Sequence, residues 1–138
     1  MTPLPSEVIV GVRRILRDTI APELTSGHAR ARLDDIRAVL AQVDWDDAGF
    51  HLARRCHQMA TSLQAIDRWR ASDGERTQDI PEVTVNLPAE QSTAAYSATY
   101  RSLASAAAAL VDPMADWMSR HPDDNEARRL HQALLAAL

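Results

Sequence analysis

The sequence has no lysine, one cysteine at position 56, four scattered glycines and few aromatic residues. Each scarcity removes a class of function. All 15 basic residues are arginine, which excludes a P-loop lysine, a Schiff-base lysine and a Ser-x-x-Lys nucleophile. The glycines, Gly11, Gly27, Gly49 and Gly74, stand too far apart to form a phosphate-cradling loop. A lone cysteine admits neither an intrachain disulfide nor a cysteine-cluster zinc site, and it fits a reducing compartment. Aromatic residues make up only 4% of the chain, so Leu, Ile, Val and Ala must do most of the packing. No apolar run approaches the ~20 residues of a membrane span. The opening MTPLPSEVIV lacks the basic start and long apolar stretch of a signal peptide. The expectation is a cytoplasmic protein without membrane association.

What remains is ample for a core. Apolar residues are 46% of 138 residues, a length that fits a single domain spanning 1–138. The net charge of −4, with acids interleaved among arginines such as Arg13, Arg14 and Arg17, argues against a nucleic-acid surface.

Apolar spacing predicts helices. Val8, Ile9, Val12, Ile15, Leu16 and Ile20 define a first, with Ser6 as its N-cap and Pro22 ending or kinking it. Ala29, Leu33, Ile36, Val39, Leu40 and Val43 define a second, from about Ser26 to Val43. Leu52, Cys56, Met59, Leu63 and Ile66 mark a third, from about Asp46 to Ala71, opened by the acids of VDWDD. Residues 72–91 break the pattern and read as a long irregular linker, with Val83, Val85 and Leu87 as a short extended segment. A fourth stripe runs from Tyr96 and Tyr100 through Leu103, Ala107 and Leu110 to Met114, Trp117, Met118 and His121. Pro113 either kinks one long helix there or opens a new one behind an Asp112 cap. After Pro122, Asp123 and Glu126 resemble a capping box for a last helix carrying Ala127, Leu130 and Leu134. Leu135 points off that stripe, and the ending LLAAL offers a surface for a second copy. The predicted fold is all-α, an antiparallel bundle of about five or six helices.

The densest chemistry lies in WDDAGFHLARRCHQM, residues 45–59. On a helical wheel Cys56 centres the apolar arc, His51 falls roughly 140° away and His57 about 100° away. A Cys–His nucleophile pair within this segment is therefore not expected, and Cys56 reads as a small hydrophobe. There is no His-x-x-x-His or Glu-x-x-His pair, so no metal and no cofactor is expected. Two charges interrupt apolar stripes: Arg32 in the second helix and Asp67 in the third. A buried charge is costly unless paired, so Arg32 or another arginine is expected to reach Asp67. Trp117, with Tyr96, Tyr100, Met114 and Met118, lines either core or an apolar pocket.

LRDTIAPEL at 16–24 followed by HARARL at 28–33 resembles an uncharacterised bacterial family of small all-helical proteins. In that family a Leu-Arg-acid-x-aliphatic-x-Pro-x-Leu helix end precedes a His-Ala-Arg helix start. The resemblance covers about residues 5 to 45. It implies no catalytic residues, and at most an accessory role beside phosphotransferases and acyl-CoA dehydrogenases. It adds interest to Arg17, Asp18, His28 and Arg30 around Pro22.

The reading is a non-enzymatic helical interaction or accessory protein forming a homodimer. The alternative is a small-ligand-binding or catalytic bundle using Arg32, Asp67 and nearby histidines, with Arg32, Asp67, His28, Arg17 and Trp117 as the candidate ligand residues.

Overall fold

The computed structural model describes residues 2–138, and every regular element among them is helical. The chain divides into two compact units, Met1–Phe50 and His51–Leu138.

In the N-terminal unit, α1 (Pro5–Ile15) starts with proline at its first position, where the missing N–H is not needed. The Glu7 carboxylate reaches back to accept from the Leu4 amide at 2.9 Å. Ser6, expected to cap this helix, lies inside it instead, and its amide donates to Asp46 at 2.9 Å. Pro22 does not end the helix either. Leu16–Ile20 widens into a π-helical segment, and Ala21–Glu23 (α2) resumes the α path before the backbone turns extended at Leu24. The amide of Ala21 reaches five residues back, to the Leu16 carbonyl. That looser turn relieves the pressure of the Pro22 ring on the carbonyl one turn earlier. α3 (Gly27–Gln42) then packs along α1. Ser26 caps it, accepting from the Ala29 amide at 3.4 Å.

The expected apolar stripe of α3 is only partly covered. Leu33 is buried, whereas Ile36 is 52% and Val39 60% exposed. On α1, Val8, Val12 and Ile15 are exposed as well. Two short helices have too little surface between them to enclose a core.

The second unit holds most of α4 (Ala48–Ala71), then α5 (Gly74–Asp79), α6 (Thr93–Arg120) and α7 (Asn125–Ala137). Here the stripes read from sequence do meet. Cys56, Met59, Leu63 and Ile66 of α4 share one core with Leu103, Ala107, Leu110, Met114 and Trp117 of α6 and Ala127, Leu130 and Leu134 of α7. α6 passes Pro113 as a single helix and packs against α7, which runs back along it after the turn at residues 121–124. Small residues at the middle of α6, with Ala107 fully buried, let its neighbours approach.

Three sequence boundaries shift. α4 begins at Ala48, because Asp44 accepts from the Asp47 amide at 3.3 Å in a preceding turn. α6 begins at Thr93, capped by Ser92, rather than directly at the end of the linker read from sequence. Residues 72–91 are not all linker: Asp73 accepts from the amides of Glu75 and Arg76 and starts α5. Ile80 then enters the core, and Val83 and Val85 pack on its edge, while Leu87 stays exposed. No strand occurs among the described residues, and no helix among them is long and apolar enough to cross a membrane.

Neighbouring leucines of α7 test this packing. Leu134 is fully buried and Leu135 half exposed. Leu134→Ala should cost about 2–5 kcal/mol of unfolding free energy, and Leu135→Ala within about 0.5 kcal/mol of nothing, both read from urea denaturation.

Candidate functional site

The richest side-chain cluster lies where α5, the end of α6 and the start of α7 converge. Its centre is Asp124, the residue before α7. One oxygen accepts from the Ala127 amide at 2.9 Å, so Asp124, not Asp123, is the cap. The adjacent acids compete for the position, and Asp124 wins because its second oxygen also has donors. The Trp117 indole N–H reaches it at 3.0 Å and the Arg76 guanidinium at 3.2 Å. Burial pushes this carboxyl up, but the Ala127 amide, the Trp117 indole and the Arg76 charge together hold it below the ordinary carboxylate range.

Aromatic rings build outward from that carboxylate. Trp69 of α4 meets Trp117 edge-on, with centroids 5.8 Å apart. His121 stacks on Trp117 with centroids 3.8 Å apart. The Arg76 guanidinium lies 4.6 Å from the Trp69 ring centroid and donates to the Trp69 carbonyl at 3.2 Å. Planar cations favour aromatic faces of this kind. Arg120 pairs with Asp79 at 2.8 Å, and His121 Nε2 lies 3.6 Å from Glu75. His121 Nδ1 sits 3.1 Å from the Trp117 carbonyl. An open cleft of about 700 Å³ adjoins the cluster, with Arg76, Trp117, Arg120 and His121 in its wall.

Of the candidate ligand residues read from sequence, Arg32, Asp67, His28, Arg17 and Trp117, only Trp117 belongs here. Asp67 does find an arginine, but it is Arg70, one turn on, at 3.1 Å. Arg32 pairs with Asp35 at 3.3 Å and is largely exposed. The two stripe-breaking charges thus do not pair with each other, and no charged residue among those described is fully buried. Around Pro22, Arg17 pairs with adjacent Asp18 at 2.6 Å, and Arg30 donates to the Leu24 carbonyl at 2.8 Å. His28 is exposed at the start of α3. These residues serve local turn geometry and do not converge.

Cys56 is fully buried, its thiol 3.4 Å from the Tyr96 carbonyl. Burial pushes the thiol pKa up, away from the thiolate that nucleophilic chemistry needs. His51 and His57 are exposed on other sides of α4. Among the described residues, no three His, Cys, Asp or Glu side chains converge on a metal position.

Arg76, Trp69 and Asp124 were not singled out from sequence. A signal for Arg76 existed: Asp73-Gly74-Glu75 places a capping acid and a first-turn acid just before it.

Asp124→Ala should cost about 2–4 kcal/mol, because a cap is lost and Arg76 is left half-buried without its carboxylate. Asp124→Asn, which keeps an acceptor for Ala127, should cost less. The native carboxyl titrates below its unfolded value of about 3.9. Its stabilisation is therefore complete above that pH and lost as pH falls through the native value. Wild type should lose stability between about pH 4 and 2 more steeply than Asp124→Asn. Equal slopes in acid titrations of urea stability would contradict the assignment. Cys56 should react with an aromatic disulfide reagent only when the helices open; rapid labelling of the folded protein would contradict its burial.

Compared with protein-family models, with curated proteins and with solved structures, the chain matches none.

Proposed function

We propose that this is a cytoplasmic helical interaction protein whose N-terminal unit pairs with a second copy of itself. One observation carries the reading: Met1–Phe50 displays apolar rows on two helices and buries only Leu33 among its described residues. Val8, Val12 and Ile15 recur at helical spacing on α1, Ile36 and Val39 do so on α3, and Val43 follows at its end. Ile36, Val39 and Leu40 line an apolar depression of about 350 Å³ together with Arg32 and Asp35. Arg32 then frames a docking surface, which accounts for a charge in an apolar stripe.

A second copy fits this surface better than a lipid or a nucleic acid. Two helical hairpins related by a two-fold axis make a four-helix bundle, in which each apolar row covers its counterpart. The unit carries six arginines and eight carboxylates, a mixture that gives neither an anionic membrane nor a phosphate backbone a field to follow. The buried, protonated Cys56 accords with a reducing cytoplasm.

Light scattering at about 100 µM, above the micromolar dissociation constants of weak dimers, should give twice the chain mass. Val39→Glu places an unpaired charge in the interface and should weaken pairing by at least about 100-fold with unchanged helicity. A monomeric wild type would overturn the proposal, as would a monomer that instead sediments with anionic vesicles.

A further inference from the structure

A second cleft, of about 460 Å³, lies between the end of α4, α5 and the first turns of α7. Arg68, Trp69, Arg76 and Arg129 line it, with Glu126 as the one carboxylate. Its hydrogen-bonding groups are unevenly satisfied. Both Glu126 oxygens are taken by Arg129, through Nε and a terminal nitrogen. The Ser72 hydroxyl donates to the Trp69 carbonyl and accepts from Arg76. The side-chain groups left over are donors. Trp69 is 7% exposed, and its indole nitrogen is buried with no acceptor. Arg76 Nε is likewise buried and unsatisfied, although the rest of its guanidinium is engaged. Arg68 makes no hydrogen bond or ion pair among the described residues.

Buried donors without acceptors are uncommon and call for a physical explanation. Here two of them belong to side chains of one cleft that also carries a free guanidinium. A cation or a donor-only ligand would add to the surplus. A small oxyanion supplies what is missing: several acceptor oxygens and a negative charge. Guanidinium forks match phosphoryl and carboxylate groups in geometry and charge. We propose that this cleft binds an oxyanion, a phosphoryl or carboxylate group, with Arg68 and Arg129 at its mouth and Trp69 and Arg76 behind them. The site lies wholly in the C-terminal unit and does not depend on pairing of the N-terminal ones.

The test is a ¹H–¹⁵N titration that follows the Trp69 indole cross-peak, assigned with Trp69→Phe. Inorganic phosphate should move that peak saturably at about 1–10 mM, while sodium chloride at equal ionic strength should not. Citrate forms a second arm: a response to both anions identifies a general oxyanion site, and a response to phosphate alone a phosphoryl site. Arg68→Gln, an exposed change that leaves the fold intact, should weaken the response at least about tenfold. Arg101→Gln, on α6 outside the cleft, should leave it unchanged. Val39→Glu should titrate as wild type, which separates this proposal from self-association. The proposal is overturned if chloride reproduces the shift, if neither anion moves the peak, or if Arg68→Gln responds like wild type.

Discussion

The carboxylate of Asp124 holds the C-terminal unit in register. It caps α7 through the Ala127 amide, fixes the end of α6 through the Trp117 indole and draws in α5 through Arg76. A half-buried charge is tolerable because three donors surround it. With those elements fixed, Trp69 and Trp117 meet edge-on and the guanidinium of Arg76 settles over the Trp69 ring. Arg76, held by this carboxylate, lines both nearby clefts. Removing the charge would loosen a helix start, an aromatic pair and an ion pair at once.

The two units solve the burial problem differently. In His51–Leu138, three long helices and Ile80 enclose one apolar core. In Met1–Phe50, polar links do much of the fastening: Ser6 to Asp46, Trp45 to the Leu40 carbonyl, Arg30 to the Leu24 carbonyl. Such bonds fix direction and are worth little net in water. They leave the apolar rows outward, and this contrast motivates the assignment of association to the N-terminal unit and of ligand chemistry to the C-terminal one.

Much of the fold was legible as spacing. The stripes of α4, α6 and α7 predicted most of the second core, including Cys56 and Trp117 but not Ala60, Trp69 or Ile80, because a face that is apolar every third and fourth residue has somewhere to go when other helices are present. The same reasoning said nothing of what covers the face. Ile36, Val39 and Val43 have flawless periodicity and remain exposed. Caps were harder. Asp123 and Asp124 look alike in the sequence, and only the indole and guanidinium brought from elsewhere distinguish them. Asp67 found an arginine one turn away rather than across a bundle, since a local i,i+3 pair needs no tertiary coincidence. The cleft residues Trp69 and Arg76 lie on either side of the break between α4 and α5, and polar spacing could not reveal that they meet.

The π-helical segment Leu16–Ile20 has an evolutionary corollary. Such a turn houses one residue more than the α path requires, so deleting a residue within it restores α geometry and leaves the flanking helix in phase. A deletion elsewhere in α1 would swing Val8, Val12 and Ile15 by about 100° relative to the turn into α3. The chain thus carries slack at a place beside Pro22, and length variation among descendants of this sequence would be absorbed there without rotating either apolar row.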